Sequence, residues 1–364
     1  MKKIAFLIGY LNVGGAEQLL TNIAINIDKN RYEPIVITIK GLGPLEEKLV
    51  NNGIKVYCLA GKRKASLKVM INLYRILKEE KIDIINSHSF NGQFFGAICG
   101  KLLNIKTYNT EHTVFENIVF HQRILKKFLA KINTKIIACS EVVYNSLIEH
   151  KIYNEKNMII IENGVDINMY SKRNAQNTVY LKNKFRIEGK LVLITVGSIR
   201  EEKNHLQFLN VIKDINNKNI VWIVVGDGYK RNDLENEIKS NNMQDTVILL
   251  GNKHDVWNYL SIADVFILPS KYEGLSLAML EAMACGLATI CTDVGSNSKV
   301  IENGVNGYII KLNEFKQFED KIKYLYNNKN ILEEMKRNNA IKVKDNYNFN
   351  QTISKYQNCF ENIK

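Results

Sequence analysis

The sequence predicts an α/β protein made of two successive doubly wound, Rossmann-like domains facing a central cleft. Three observations carry this expectation. Short continuous apolar runs recur along the chain with helical patterns between them, as parallel strands covered on both faces require. The first run, Lys3–Ile8, passes through Gly9 and Gly14-Gly15 into the helical pattern Leu19…Ile27, the strand–turn–helix opening of a Rossmann-like half. The series then restarts at Leu191 with a run of the same type.

In the first half, strands are expected at Lys3–Ile8, Pro34–Ile39, Ile54–Leu59, Ile82–Ile85, Thr107–Asn109 and Lys135–Ala138. Helices are expected at Leu67–Lys81 and Gln93–Leu103. Met158–Ile161 is a short strand leading to Asn163-Gly164-Val165-Asp166, and residues 168–188, polar and weakly patterned, read as the connection. The second series has strands at Leu191–Val196, Ile220–Val225, Val247–Leu250, Val265–Leu268 and Ala288–Cys291, with a helix over His205–Ile215. The expected division is 1–168, 169–345, and a terminal aromatic-rich helix in 346–364 that crosses back to the first domain.

Composition narrows the function classes. With 364 residues, 46% hydrophobic and 24% charged, the chain sustains two cores and is neither disordered nor fibrous. A net charge of +13 favours an anionic partner: a phosphorylated small molecule, an anionic membrane face or nucleic acid. Six scattered cysteines without a C-x-x-C pair read as buried thiols in a reducing compartment. The apolar run after Met1-Lys2-Lys3 is too short for a signal peptide, and no stretch approaches ~20 apolar residues. The expected location is the cytoplasm.

The most informative segment is Glu273-Gly274-Leu275-Ser276…Glu281, which follows the strand Val265–Leu268. Gly274 opens a turn and a helix starts near Ser276, so the amides around Gly274, Leu275 and Ser276 are a seat for a diphosphate. Glu281, further into that helix, can take the two hydroxyls of a ribose, and Glu273 sits at the helix mouth. The plainer alternative is a pair of solvated helix-end charges; the buried-type neighbours and the strand–turn–helix setting favour the ligand reading. Lys203, on the loop after Leu191–Val196, is placed to balance phosphate charge. In the first half, Gly14 and Gly15 allow close approach of backbone to a ligand. His88 and His112 each follow a strand, on the same edge of the sheet.

Other chemistries find less support. Metal-ligand spacings of the H-x-x-x-H or D-x-D kind are absent, and neither metal nor cofactor is expected. Gly226-Asp227-Gly228 begins like a dinucleotide fingerprint but has Arg231 in place of the third glycine. No nucleic-acid-binding motif accompanies the positive charge, and no nucleic-acid partner is expected.

Taken in order, several segments resemble the GT-B glycosyltransferases of family GT4, the retaining group that builds bacterial capsular and other surface polysaccharides. They are Gly14-Gly15-Ala16-Glu17, Cys139-Ser140-Glu141, Asn163-Gly164-Val165-Asp166, Gly197 with Lys203, Gly226-Asp227-Gly228 and the Glu273-x7-Glu281 block. The resemblance implies a GT-B fold, a nucleotide-sugar donor (UDP-linked by family frequency) in the second domain and a lipid-linked or oligosaccharide acceptor in the first. It places Glu281 on the ribose and Lys203 on the diphosphate. Glu273 and the Gly274–Ser276 amides fall near sugar and diphosphate. Gly15 lies against the donor, His112 by the reacting sugar, and the main chain of Asn252-Lys253 against the base. The family usually has Arg where this chain has Ser198; Arg200 is the candidate substitute. A nucleotide-sugar epimerase of the same shape, or a catalytically silent partner subunit, are the alternatives.

The basic excess has a candidate use. Lys62-Arg63-Lys64…Lys68, and Arg123, Lys126, Lys127, Lys131 and Lys135 interleaved with Ile124, Leu125, Phe128 and Leu129, give an amphipathic basic face. Such a face suits an anionic membrane surface and a peripheral location at its inner side. A solvated helix face is the plain alternative.

Overall fold

The computed structural model describes residues 1–12, 14–59, 67–114, 120–170 and 175–361. The chain divides into two compact units, residues 1–163 with 351–364, and residues 164–350. This boundary lies a few residues ahead of the expected 168/169, because Val165 bridges to Asn348 and thereby belongs to the second unit.

The first unit alternates strand and helix: β1 (Lys2–Ile8), α1 (Gly15–Asn26), β2 (Tyr32–Thr38), α2 (Leu45–Asn51), β3 (Lys55–Cys58) and α3 (Leu67–Glu79). It continues with β4 (Ile84–His88), α4 (Ser89–Leu103), β5 (Lys106–Glu111), α5 (Phe120–Ile132), β6 (Lys135–Ala138), α6 (Glu141–Glu149) and β7 (Met158–Ile160). The sheet order is β3-β2-β1-β4-β5-β6-β7, all parallel. The order reverses between β1 and β4. In such sheets ligands bind outside the carboxyl ends of the strands at this point. There the Gly9 amide donates to Ser89 Oγ at 3.1 Å.

The second unit holds α7 (Ile167–Tyr170), α8 (Ala175–Phe185), β8 (Leu191–Val196), α9 (His205–Ile215), β9 (Ile220–Val225), α10 (Arg231–Ser240), β10 (Val247–Gly251) and α11 (Val256–Leu260). Then come β11 (Val265–Leu268), α12 (Leu277–Ala284), β12 (Ala288–Thr292), α13 (Asn297–Val300), β13 (Gly307–Ile310), α14 (Phe315–Asn327) and α15 (Lys329–Asn346). Its parallel sheet runs β10-β9-β8-β11-β12-β13, with the reversal between β8 and β11. Helices cover both faces: Phe208, Leu234 and Phe318 pack with Trp222 on one, and Leu260, Met279 and Met283 with Ile223 and Phe266 on the other. Buried Trp222 donates to Thr195 Oγ1 (3.0 Å), whose hydroxyl donates to the Ile267 carbonyl (3.1 Å).

The last helix, α16 (Phe349–Glu361), packs on the first unit. Tyr356 and Phe360 are fully buried, and the Tyr108 hydroxyl donates to the Cys359 carbonyl at 3.3 Å. Thr352 Oγ1 donates to the Glu162 carbonyl at 3.0 Å.

Three expectations need correction. Residues 168–188 are not a plain connection: α8 lies within them, and Leu181, Phe185 and Ile187 join the second unit's core. The strand expected at Ile82–Ile85 is shifted to Ile84–His88, because the Ile82 amide is taken by the Leu77 carbonyl at the end of α3. β13 was not expected; its short Gly-Tyr-Ile-Ile run adds an edge strand beside β12. Among the described residues no helix is long and apolar enough to cross a membrane.

Candidate active site

In the second unit the site grows from the strand ends on either side of the order reversal. β8 ends at Gly197, and a short helical turn over Glu201–Lys203 precedes α9. The neighbouring Gly226 has φ of +140° and lies so close to Gly197 that a methyl group there would overlap the Gly197 carbonyl. Only glycine allows these two loops to touch. The Gly226 amide in turn donates to the Gly251 carbonyl at 2.9 Å, bringing the Asp227 and Asn252 loops side by side.

β11, hydrogen-bonded to β8, delivers the segment Ser270–Glu273 to the same edge. Lys203 Nζ donates to Glu273 Oε1 at 2.5 Å, and Ser270 Oγ donates to the same oxygen at 2.7 Å. The loop is clamped from two sides. The Lys271 amide donates to the Glu202 carbonyl at 2.8 Å, and Thr292 Oγ1 donates to the Ser270 carbonyl at 2.6 Å. Ser276 caps α12, its Oγ accepting from the Met279 amide at 3.3 Å. The cap leaves the amides of Leu277 and Ala278 at the helix tip as donors. A cation, a carboxylate and a capped helix tip thus meet at one strand edge. Such an arrangement is suited to hold a diphosphate and to offset the charge of a phosphate leaving group.

Glu281 is half-buried on α12 and hydrogen-bonds the Tyr170 hydroxyl from α7, which packs across α12. Burial pushes the Tyr170 phenol well above its ordinary range, with the Glu281 charge and hydrogen bond adding to it, so the hydroxyl stays a donor. Arg200 is exposed, and its guanidinium lies 3.9 Å from Glu202. Lys253 Nζ lies 5.9 Å from the centre of the Tyr259 ring. Asn252 is exposed at the end of β10, and Gly274 and Leu275 lie between Glu273 and the Ser276 cap.

In the first unit, Gly14 caps α1 and Gly15 begins it, so both lie at that helix tip. His88 and His112 come together at the ends of β4 and β5: His88 Nδ1 and His112 Nε2 are 2.9 Å apart. Behind them lies a network that sequence reasoning missed. Glu111 accepts from Lys126 Nζ (2.5 Å) and from the Tyr153 hydroxyl (2.6 Å), and Lys126 also donates to Gln93 Oε1 (3.3 Å). Burial alone would raise the Glu111 carboxyl. The Lys126 charge and the hydrogen bonds from Lys126, Tyr153 and Gln93 outweigh it and hold the group below the usual carboxylate range.

This corrects the expected basic face. Lys126 is only 4% exposed and does not belong to it, and Leu129 is fully buried, because α5 turns that side onto Glu111 and the sheet. Lys62, Arg63 and Lys64 lie outside the described residues. Ser270, Tyr170 and Asn86, which flank the expected site residues, were also missed. Nothing in the spacing of Tyr170 signals its partner. For Asn86, the polar run Asn86-Ser87-His88 at the end of an otherwise apolar strand was the available sign.

Comparison with known proteins agrees with this architecture. The model of the family described as Glycosyltransferase Family 4 matches residues 13–169, and that of Glycosyl transferases group 1 matches residues 179–342. The chain belongs to the GT-B glycosyltransferases of the GT4 type, enzymes that act on nucleotide sugars.

Among its relatives is the Escherichia coli UDP-Gal:alpha-D-GlcNAc-diphosphoundecaprenol alpha-1,3-galactosyltransferase. It is 29% identical over 308 residues, covering 81% of this chain and 79% of the relative. The capsular polysaccharide biosynthesis glycosyltransferase CapH of Staphylococcus aureus is 25% identical over 317 residues, covering 82% and 84%. The crystal structure of Anabaena HepE in complex with UDP and glucose has the same fold, with a TM-score of 0.90 at 18% identity and 99% of each chain covered.

Proposed function

We propose that the protein is a retaining, metal-independent hexosyltransferase. It moves a hexose from a UDP-linked donor to a lipid-linked or glycan acceptor in surface polysaccharide biosynthesis. The observation that carries this is the meeting of Lys203, Glu273 and the capped tip of α12 at the ends of β8 and β11. Breaking the anomeric C–O bond leaves negative charge on the diphosphate, and fixed cations and helix-end amides lower that barrier directly. The acceptor hydroxyl attacks from the same face, its oxygen bonds to the anomeric carbon, and its proton passes to the leaving phosphate oxygen. Glu281 takes the ribose, the Asn252-Lys253 main chain the base, and His112 the sugar. The UDP and galactose in the name of the Escherichia coli relative, and its diphosphoundecaprenol acceptor, support the donor and acceptor classes.

A thermal-shift panel of nucleotide sugars, followed by transfer to a lipid-diphosphate sugar with and without EDTA, tests this reading. Stabilisation by UDP-sugars and EDTA-resistant transfer are expected. Epimerised donor without transfer would replace it with the epimerase reading. The exposed placement of Arg200 favours the silent-subunit reading as the second choice, and weak donor binding together with a stable complex with another transferase would support it.

A membrane surface is part of the proposal in corrected form. Ile124, Lys127, Phe128 and Lys131 form one exposed stripe of α5, with Ile124 54% and Phe128 52% exposed. Leu67, Lys68, Ile71 and Arg75 are exposed on α3, and α4 packs against both helices. Apolar side chains flanked by lysines suit an anionic lipid surface.

A further inference from the structure

Three polar side chains at the ends of β4 and β5 form a chain with a single consistent arrangement of hydrogens. Asn86 is fully buried; its Nδ2 donates to the Tyr108 carbonyl (3.3 Å) and to Thr110 Oγ1 (3.1 Å). A carbonyl oxygen only accepts, so turning the amide over would set two acceptors face to face. Asn86 Oδ1 therefore faces His88 Nε2, 2.8 Å away, and that nitrogen carries a hydrogen.

Burial holds His88 well below the ordinary imidazole range, with the His112 ring adding to the effect, so His88 is neutral and its Nδ1 is a lone pair. That lone pair meets His112 Nε2 at 2.9 Å, which must then donate. Burial also pushes His112 down to about 4, against an opposing pull from Glu111. A neutral His112 with hydrogen on Nε2 has a bare Nδ1. The ring centres are 5.0 Å apart and the planes 29° from parallel, the near-coplanar, edge-to-edge placement that an N–H···N bond between the rings requires.

We propose that His88, held by Asn86, is a positioning residue that locks His112 in the Nε2–H form, so that His112 meets the reacting sugar as a hydrogen-bond acceptor for one of its hydroxyls. The inference rests on the transferase reading, which puts His112 beside the sugar. It makes His112 a reader of a sugar hydroxyl through Nδ1 and not a proton donor to it. A site built to bond a hydroxyl rejects a sugar that lacks it far more strongly than an apolar pocket rejects an extra group.

The test has three measurements on the full chain. Nitrogen-15 NMR of labelled imidazoles, with His112→Ala for assignment, reads the tautomer without any nucleotide; the Nε2–H form of both His88 and His112 is expected at neutral pH. Hydrogen on Nδ1 of His112, or a charged ring, overturns the proposal even if every variant misfolds. Transfer from UDP-glucose, UDP-galactose and their monodeoxy derivatives then reads discrimination. The wild type is expected to disfavour one deoxy donor at least tenfold in kcat/KM, and His88→Phe to bring that ratio near one while UDP affinity by calorimetry is unchanged.

An undiminished ratio in His88→Phe, or a wild type that accepts every deoxy donor equally, overturns the role of Nδ1. Failure of the wild type to bind UDP or any nucleotide sugar would instead strike the transferase reading. It would take the sugar-reading role with it, while the spectrum still reports the tautomer.

Discussion

Lys203 and Glu273, seventy positions apart in the chain, share a hydrogen-bonded ion pair 2.5 Å long at the ends of two adjacent strands. Ser270 donates to the same carboxylate oxygen, so Glu273 is fixed from two sides. A nucleoside diphosphate would share Lys203 with Glu273 or take it over. Lys203→Ala is therefore expected to weaken UDP binding by about 1.5–3 kcal/mol, the scale of a hydrogen bond to a charged group. Glu273→Gln is expected to leave UDP binding equal or tighter while lowering turnover. Calorimetry and initial rates on the two variants check both; equal losses of UDP affinity in both would contradict the assigned roles.

The Tyr170 hydroxyl orients Glu281 from outside α12. Tyr170→Phe keeps the ring and removes one neutral-to-charged hydrogen bond. It should cost up to about 1.5–3 kcal/mol of nucleoside affinity through a less well-held carboxylate. Glu281→Ala should cost at least as much. A UDP-against-phosphate comparison by calorimetry separates this from a general loss, because inorganic diphosphate binding should not change in Tyr170→Phe.

Neighbouring lysines on α5 are expected to behave oppositely. Lys126→Met leaves Glu111 buried without its cation, and breaking a buried pair in this way costs about 3–5 kcal/mol. Lys127→Glu and Lys131→Glu lie on the exposed stripe and should leave the melting temperature within a degree or two of wild type. The same pair should weaken sedimentation with anionic vesicles in a salt-dependent way. Melting curves and vesicle sedimentation read the two effects separately.

Acid should begin to destabilise the fold above the ordinary carboxylate range. His88 and His205 are buried and His112 partly so, and all three are neutral, His112 and His205 pushed down to about 4 and His88 well below 6.5. For His205 burial is the main cause, with the Lys203 charge second. Unfolded imidazoles take up protons near pH 6.5, so the unfolded state binds more protons than the folded one as pH falls from about 6.5 towards 4. Stability is fully present above that window and falls through it, by an order of 1–3 kcal/mol per ring. His205→Gln should flatten the decline, measured as denaturant midpoint against pH; a flat wild-type profile between pH 7 and 5 would contradict the buried neutral rings.

Much of the fold was legible because its signals are local. Ile220–Val225 and Val265–Leu268 are unbroken apolar runs, Leu191–Val196 is interrupted only by Thr195, and all three are strands with those bounds, since a strand buried on both faces is almost wholly apolar. Lys203 and Glu273 were legible as site residues because each lies on the loop that follows such a run. The residues that brace them were not. Ser270 resembles any loop serine, and Tyr170 sits in a stretch whose weak pattern read as a connection although it packs on α12.

The sequence by itself determined two α/β halves, their strands, and the glycine, lysine and glutamate positions at strand ends, because periodicity and turn chemistry act over a few residues. Only the tertiary structure decided that Lys126 lies under Glu111 instead of facing solvent, and that Asn86, His88 and His112 form one hydrogen-bonded line. Such pairings depend on which strands lie side by side and on which face of a helix meets the sheet. Strand order is fixed by the packing of whole layers, so a charge pattern that is amphipathic along a helix does not say which of its lysines the core will claim.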